Sequence, residues 1–83
     1  MQSSEAVQTQ LYQILNPFVP AGFELVTETD LVADLDLDSM KVMDIVADVE
    51  DTFDIAVPLN ILPDVRTVGD FVGQIQKLLE DGL

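Results

Sequence analysis

The segment that most restricts the fold is residues 39–53, SMKVMDIVADVEDTF, in which apolar side chains recur at helical spacing. Steps of three or four residues place five of them on one helical face: Met40, Met43, Val46, Val49 and Phe53. Charged side chains fall on another face: Lys41, Asp44, Asp48 and Asp51. Because a helix with one apolar face must bury that face against other elements, the segment predicts a helical bundle.

Two more amphipathic helices are predicted near the ends of the chain. The first covers roughly residues 4–16, because Pro17 disfavours helical backbone at the residue before it. The last covers roughly residues 67–80; its first residue and Asp70 have the spacing of a capping box, and Gly82 fits a helix stop. The apolar stripes are Val7, Leu11, Ile14, Leu15 and Phe18 in the first helix, and Val68, Phe71, Val72, Ile75, Leu78 and Leu79 in the last.

The connection between the first two helices, residues 17–38, is long for so small a domain. Pro20, Gly22 and the polar run 27–30 favour a loop. Five apolar residues within it nevertheless need burial: Phe18, Phe23, Leu25, Leu31 and Leu35. We therefore expect an ordered loop that packs across the helices, with one short turn near residues 30–34.

A short additional helix is expected at residues 59–62, with Pro58 at its start. At least two of its residues are expected in the core; the alternative is an exposed apolar patch or a pocket against the second helix. The predicted fold is all-α, a small four-helix bundle of three main helices and one short one, with a long ordered loop between helices one and two. Residues 1–83 form a single domain that, without cysteine, depends on burial for its stability.

Acidic residues dominate the charge of the chain, with sixteen acids against three bases and a net charge of −13. Ten of the acids lie between residues 28 and 54, where Lys41 is the only base. This charge argues against nucleic acid and anionic membranes as partners and favours basic protein surfaces. With no signal-peptide pattern and no apolar stretch of spanning length, we expect a cytoplasmic monomer without membrane insertion.

Ser39 lies where an acidic loop meets a helix, within reach of a second protein. A serine hydroxyl is a weak nucleophile without a base, and the chain contains neither His nor Cys. Lys41 does not face Ser39 on a helix, so no catalytic residue is expected. The residues alone leave two interpretations: Asp38 or Ser39 caps the helix, or Ser39 is an acceptor that another enzyme modifies.

No dedicated metal site is expected. Residues 34–38, DLDLD, begin like a calcium-binding loop, but the sixth position is Ser39 instead of glycine and the twelfth is Ile45 instead of glutamate. Without His and Cys, zinc, haem and iron–sulfur sites lack their usual ligands. Loose binding of hard cations by the carboxylates would relieve charge repulsion without forming a specific site.

Residues 35–40, LDLDSM, lead from the acidic loop into the helix that begins at Ser39. They are similar to the L-G-x-D-S-L signature of the acyl carrier protein family. Residues 53–54 resemble the end of its E-E-F-D motif, residues 55–58 its I-x-I/V-P motif, and residues 67–70 its T-V-G-D helix start. Order and spacing agree as well as residue types, over most of the chain.

The resemblance implies that Ser39 carries 4'-phosphopantetheine, whose thiol holds acyl groups as thioesters for enzymes of fatty-acid, lipid or polyketide-type biosynthesis. It implies a carrier and not an enzyme. Its partners would be a phosphopantetheinyl transferase, which docks beside Asp38, and acyl-transferring and synthase enzymes. The expected partner face is Asp36, Met40, Lys41, Asp44, Asp48 and Asp51. The expected acyl pocket is Met43, Val46, Ile61, Leu62 and Phe71.

Three features depart from the family pattern, and the last two of them indicate a specialised rather than a housekeeping carrier. Asp36 replaces the signature glycine, which makes a positive φ harder to adopt there. Lys41 stands where fatty-acid carriers usually have an acid, and residues 59–62 replace several acids with apolar side chains. Two alternatives stay open: an aminoacyl or peptidyl carrier of nonribosomal synthesis or D-alanine transfer, and an unmodified acidic helical adaptor in which Ser39 is only a cap.

Overall fold

The computed structural model describes residues 4–81, which form three long helices and one short one. The α-helices are α1 (Ser4–Leu15), α2 (Ser39–Phe53) and α3 (Val68–Asp81). A 3₁₀ helix, Leu59–Asp64, connects α2 to α3. No strand forms within these residues, so the predicted all-α bundle is confirmed, with the short helix of 3₁₀ type.

The helix ends follow local chemistry. α1 passes into a single 3₁₀ turn, Asn16–Phe18, at the proline that was expected to end it. α3 begins with the predicted capping box, because the Asp70 N–H donates to Thr67 Oγ1 and the Thr67 N–H donates to Asp70 Oδ2, each at 3.1 Å. The helix stop expected at Gly82 lies outside the described residues.

One core fills the space between the three helices. Leu11 of α1, Val49 of α2 and Ile75 of α3 all lie in it without exposed surface. The apolar stripes predicted for α1 and α3 are confirmed, since all of their residues are buried in this core or pack against it. α1 packs against both other long helices and so links them.

The buried face of α2 differs from the predicted one at the start of the helix. The three later members of the predicted stripe are buried, but Met40 and Met43 are 80% and 44% exposed. Ile45, which the prediction omitted, is buried, and Val42 packs against the core. Val42 and Ile45 continue the buried face at helical spacing too. Periodicity therefore allows both sets of residues, and the packing partners decide between them.

The loop between α1 and α2 is ordered by hydrogen bonds to the start of α3. The N–H groups of Val68 and Gly69 donate to the carbonyls of Thr29 and Thr27, at 3.0 and 2.8 Å. A β-carbon at position 69 would lie 3.2 Å from the Thr27 oxygen, tighter than an ordinary contact. The glycine therefore allows the loop to approach the helix this closely.

Asp30 organises the short turn that was predicted in this loop. Its Oδ1 accepts hydrogen bonds from the N–H groups of Val32 and Ala33 at 2.9 and 2.7 Å, and its own N–H donates to Asp34 Oδ2 at 2.8 Å. Its Oδ2 pairs with Arg66 Nε at 2.9 Å. The turn places three leucines in the core: Leu31, Leu35 and Leu37.

Phe23 does not reach the core, contrary to the expectation for this loop. It is 38% exposed, whereas Phe18 and Leu25 pack against the core. Phe23 follows Gly22, whose φ of 84° is left-handed, in a turn closed by the Phe23 N–H on the Pro20 carbonyl at 3.1 Å. This tight turn holds the backbone of Phe23 at the surface.

The capping box predicts a pH-dependent contribution to stability. Hydrogen bonds from the N–H groups of Thr67 and Arg66 hold the pKa of Asp70 below its ordinary value of 3.8. A carboxylate whose pKa is lowered by folding stabilises the fold above its unfolded pKa, and this contribution is lost as the pH falls through the folded pKa. We expect Asp70→Asn to melt below wild type at neutral pH, and the gap to narrow below pH 3.8.

The matched control is Glu80→Gln, which removes an exposed acid from the last turn of the same helix. Its neutralisation should not lower the melting temperature, because a negative charge near a helix C-terminus is unfavourable. Thermal melts of the three proteins across acid pH provide the comparison. A gap between Asp70→Asn and wild type that stays constant through the acid range would contradict the expectation.

Candidate functional site

Ser39 is the first residue of α2, and its side chain is exposed. Asp38 precedes it in extended backbone, and Asp38 Oδ1 accepts the N–H of Lys41 at 2.9 Å. Of the two capping candidates in the sequence, Asp38 is therefore the one that caps the helix. The hydroxyl of Ser39 is not needed for capping, and it lies at the N-terminal end of a fifteen-residue helix.

The loop approaches Ser39 through a left-handed residue, Asp36, whose φ is 54°. Its N–H donates to the Val32 carbonyl at 2.9 Å, which closes the preceding turn. Leu35 and Leu37 on either side are both buried. The position at which the family signature has glycine thus needs a positive φ here, which aspartate tolerates better than most residues but less well than glycine.

At position 36 glycine should give a more stable protein than alanine. Asp36→Gly removes the β-carbon that disfavours the left-handed backbone, and we expect it to be more stable than Asp36→Ala by roughly 1 kcal/mol. Both variants lose the same charge, so their difference isolates the backbone term. Urea unfolding measured by circular dichroism compares them. Equal stability of the two variants would show that the backbone at this position is unstrained.

A cavity of about 420 Å³ lies beside Ser39, between the loop, α2 and the 3₁₀ helix 59–64. Asp38 and Ser39 line its polar side. Seven apolar residues form the rest of its wall: Val32, Leu37, Val42, Met43, Leu59, Leu62 and Pro63. A group attached to Ser39 would therefore have an apolar surface within its immediate reach.

Two of the five residues predicted for the acyl pocket, Met43 and Leu62, line this cavity. The other three do not: Val46 and Phe71 are buried in the core, and Ile61 packs against it. The remaining apolar wall residues were not predicted, because they lie on three separate segments that no periodicity connects. Only the apolar run at 59–62 indicated part of the wall. No residue of that run is fully buried, and the two that pack against the core are Ile61 and Leu62.

Three large apolar side chains around Ser39 are more than half exposed to solvent, and we call them the apolar collar: Val32, Met40 and Leu59. They are 64%, 80% and 60% exposed. Val32 and Leu59 line the cavity from opposite segments, and Met40 follows Ser39 on α2. Single exposed apolar residues are ordinary on protein surfaces. Three of them around one exposed hydroxyl form a patch of the kind found at interaction sites.

All six residues predicted for the partner face are exposed: Asp36, Met40, Lys41, Asp44, Asp48 and Asp51. The only ion pair within 4.0 Å in the described part of the chain joins Arg66 to Asp30. The ammonium of Lys41 therefore has no carboxylate partner within that distance there. The partner face is therefore acidic, with one unpaired positive charge, that of Lys41, in the first turn of α2.

Two acids of the calcium-like run accept main-chain hydrogen bonds instead of facing one another. Asp34 Oδ2 accepts from the Asp30 N–H, and Asp38 Oδ1 from the Lys41 N–H. Across residues 4–81 no group of three or more acidic side chains is placed to hold a metal ion. Across the same residues no helix has the length and apolar character needed to cross a bilayer.

Comparison with known proteins identifies the class to which this site belongs. Residues 21–75, which include most of the loop, all of α2 and the 3₁₀ helix 59–64, match the family described as the phosphopantetheine attachment site. The chain therefore belongs to this family of carrier domains, whose covalent prosthetic group is 4'-phosphopantetheine. Members of the family interact in general with phosphopantetheinyl transferases and synthase enzymes.

Individual relatives are named acyl carrier proteins. Meromycolate extension acyl carrier proteins of Mycobacterium tuberculosis and Mycobacterium leprae are 41% identical over 58 residues, or 70% of this chain and 50% of theirs. An acyl carrier protein of Rhodococcus erythropolis is 41% identical over 59 residues, 71% of this chain and 65% of its own. The match thus spans about half of the mycobacterial relatives. The solved structure of a putative acyl carrier protein from M. tuberculosis aligns with a TM-score of 0.68 at 28% identity, covering 89% of this chain and 95% of that one.

Proposed function

We propose that residues 1–83 form an acyl carrier domain that holds acyl groups as thioesters on 4'-phosphopantetheine attached to Ser39. The domain would present these groups to enzymes of fatty-acid, lipid or polyketide-type biosynthesis. The observation that carries the proposal is the exposed Ser39 hydroxyl, which capping does not use, beside a cavity of about 420 Å³. When bound, the prosthetic group supplies the thiol that a chain without cysteine lacks.

The start of α2 fits a phosphodiester on Ser39. A helix N-terminus carries a partial positive charge and unpaired backbone N–H groups, both of which favour a phosphate. The exposed carboxylates of Asp36 and Asp38 oppose that attraction, so the phosphate would remain solvated and the arm mobile. Ser39 acts only as the acceptor of the group, and the chain supplies no base beside it. The domain is therefore a carrier without catalytic residues.

The cavity wall favours acyl cargo over aminoacyl cargo. Hydrocarbon gains free energy by leaving water for a surface such as that of Val42, Met43 and Leu62. The ammonium of an aminoacyl group would lose hydration there, and Asp38 is the only carboxylate among the lining residues. Partial burial beside these side chains would also protect the thioester from water.

The adaptor hypothesis loses its main support. It explained Ser39 as a helix cap, but Asp38 fills that position. The acidic face of α2, with Asp44, Asp48 and Asp51 exposed, then serves to attract basic docking surfaces of partner enzymes. At low ionic strength this attraction should raise the association rate, since it acts before contact.

Intact mass spectrometry tests the proposal directly. Incubation with coenzyme A, Mg²⁺ and a broad-specificity phosphopantetheinyl transferase should add one phosphopantetheinyl group, which fragmentation should place on Ser39. A thioester should then form on the new thiol when an acyl-transferring enzyme and its acyl-coenzyme A are added. A folded protein that gains no mass, and that is also unmodified when isolated from its own cells, would contradict the proposal.

A further inference from the structure

We infer that the partner enzymes of this carrier present a carboxylate to Lys41, within a docking surface that is otherwise basic and has an apolar centre. The inference rests on the proposed function, because it concerns the enzymes that meet the arm on Ser39. It assigns to Lys41 the role of a specificity-determining residue. The argument uses the position of Lys41, its lack of an ion-pair partner and the apolar collar.

The position of Lys41 places it inside any such interface. It is the third residue of α2, two after Ser39, so it lies about 3 Å further along the helix axis. Its side chain is exposed. The arm that carries the cargo leaves the protein at Ser39, so a partner surface that receives the arm faces the first turn of this helix and lies close to the ammonium.

The charge of Lys41 is free to select a partner. Lys41 is the only base among residues 28–54, and no carboxylate of the described residues lies within 4.0 Å of its ammonium. Arg66, by contrast, is already paired with Asp30. Covering an unpaired ammonium with a second positive surface adds repulsion to the loss of hydration. A carboxylate on the partner replaces the repulsion by attraction and offsets the loss of hydration, whereas a uniformly basic surface is penalised at this one point.

The apolar collar specifies the centre of the same surface. Met40, Val32 and Leu59 surround the exposed hydroxyl, and an apolar partner surface would remove them from water on docking. Acidic residues of α2 flank the collar on one side: Asp44 and Asp48. The matching surface therefore has an apolar centre, a basic rim and one carboxylate opposite Lys41.

The experiment uses the malonyl-coenzyme A transacylase of a fatty acid synthase whose own carrier has an acid at the position of Lys41. Wild type, Lys41→Gln and Lys41→Glu are first phosphopantetheinylated and checked by intact mass. Lys77→Glu is the matched control, because it makes the same charge change at an exposed site on α3. We expect kcat/KM to rise from wild type through Lys41→Gln to Lys41→Glu, by about tenfold overall at low salt. The differences should shrink as salt is added.

A second arm tests the carboxylate itself. Each base on the docking surface of that transacylase is replaced singly by glutamate, and one such enzyme should prefer the wild-type carrier to the Lys41→Glu variant. That reversal identifies a charge pair across the interface.

The outcomes separate the inference from the proposed function. No mass gain on any of the four folded proteins, together with an unmodified protein in its own cells, means that the proposed function fails. Complete mass gain with kcat/KM values for Lys41→Glu and wild type that agree within experimental error overturns the inference alone. An equal increase in kcat/KM for Lys77→Glu overturns the inference as well, because net charge and not position would then explain the rates.

Discussion

Ser39→Ala should remain folded and should accept no phosphopantetheine, so that all cargo loading disappears. The expectation is absolute for function because the variant lacks the only atom, the Ser39 oxygen, at which the proposed phosphodiester can form. The expected change in stability is small, because Asp38 makes the capping hydrogen bond and the Ser39 side chain is exposed. We expect the free energy of unfolding to stay within about 0.5 kcal/mol of wild type. Intact mass after the transferase reaction and urea unfolding measure the two quantities.

Asp38→Ala is the matched control for this variant. It keeps the acceptor hydroxyl but removes the cap of α2, and N-cap substitutions of this kind cost about 1 kcal/mol. The two neighbouring substitutions should therefore separate chemistry from structure. Asp38→Ala should still gain the phosphopantetheinyl mass, more slowly if the transferase docks on its carboxylate. Mass gain on Ser39→Ala would contradict the assignment, and a loss of stability equal to that of Asp38→Ala would contradict the division of roles.

Leu11→Ala should cause the largest loss of stability among the substitutions considered. Leu11 is fully buried on α1, the helix that packs against both α2 and α3. Truncating such a leucine removes apolar contacts and leaves a cavity, which costs about 2–5 kcal/mol. Domains of this size have about 4–12 kcal/mol of total stability. We therefore expect a clear fall in the urea midpoint. The remaining free energy of unfolding should be small enough for part of the population to unfold near physiological temperature.

Gln13→Ala provides the control on the same helix. Gln13 is exposed two residues further along α1, and its replacement by the best helix former should change the free energy of unfolding by less than about 0.5 kcal/mol. Circular dichroism during urea unfolding compares the two variants. Similar losses for both would mean that α1 does not form the packed side of the core. A loss below about 1 kcal/mol for Leu11→Ala alone would mean that the site relaxes to fill the cavity.

Helix positions could be predicted closely because their determinants are local. Pro17 ends α1, and Thr67 and Asp70 cap α3 with side chains that reach only three residues. The stripes of α1 and α3 follow the helical period without competing apolar positions. In α2 two overlapping sets of apolar residues have the same period, so the exposure of Met40 and Met43 could not be predicted.

The candidate site also has a part that could be predicted from the sequence and a part that could not. That Ser39 begins a helix beside acids, without a base to activate it, is a property of consecutive residues. The cavity wall is not, because Val32, Met43 and Leu59 come from a loop, an α-helix and a 3₁₀ helix. The same limit explains Phe23, which is as apolar as the residues that are buried but is held outside by the turn at Gly22.

The sequence by itself determined the three long helices, the acidic charge and the place of the proposed acceptor serine, because helical period, capping and ionisation depend on residues close together in the chain. Only the tertiary structure decided three further points. Asp38 and not Ser39 caps α2, the left-handed turn falls on Asp36, and the apolar wall lies beside Ser39. The first two follow from the backbone that residues 36–38 adopt in the folded loop, and the position of the wall depends on where the long loop packs. That placement comes from hydrogen bonds of Thr27 and Thr29 to the start of α3, some forty residues away, and from burial of its leucines in a core shared by all the helices.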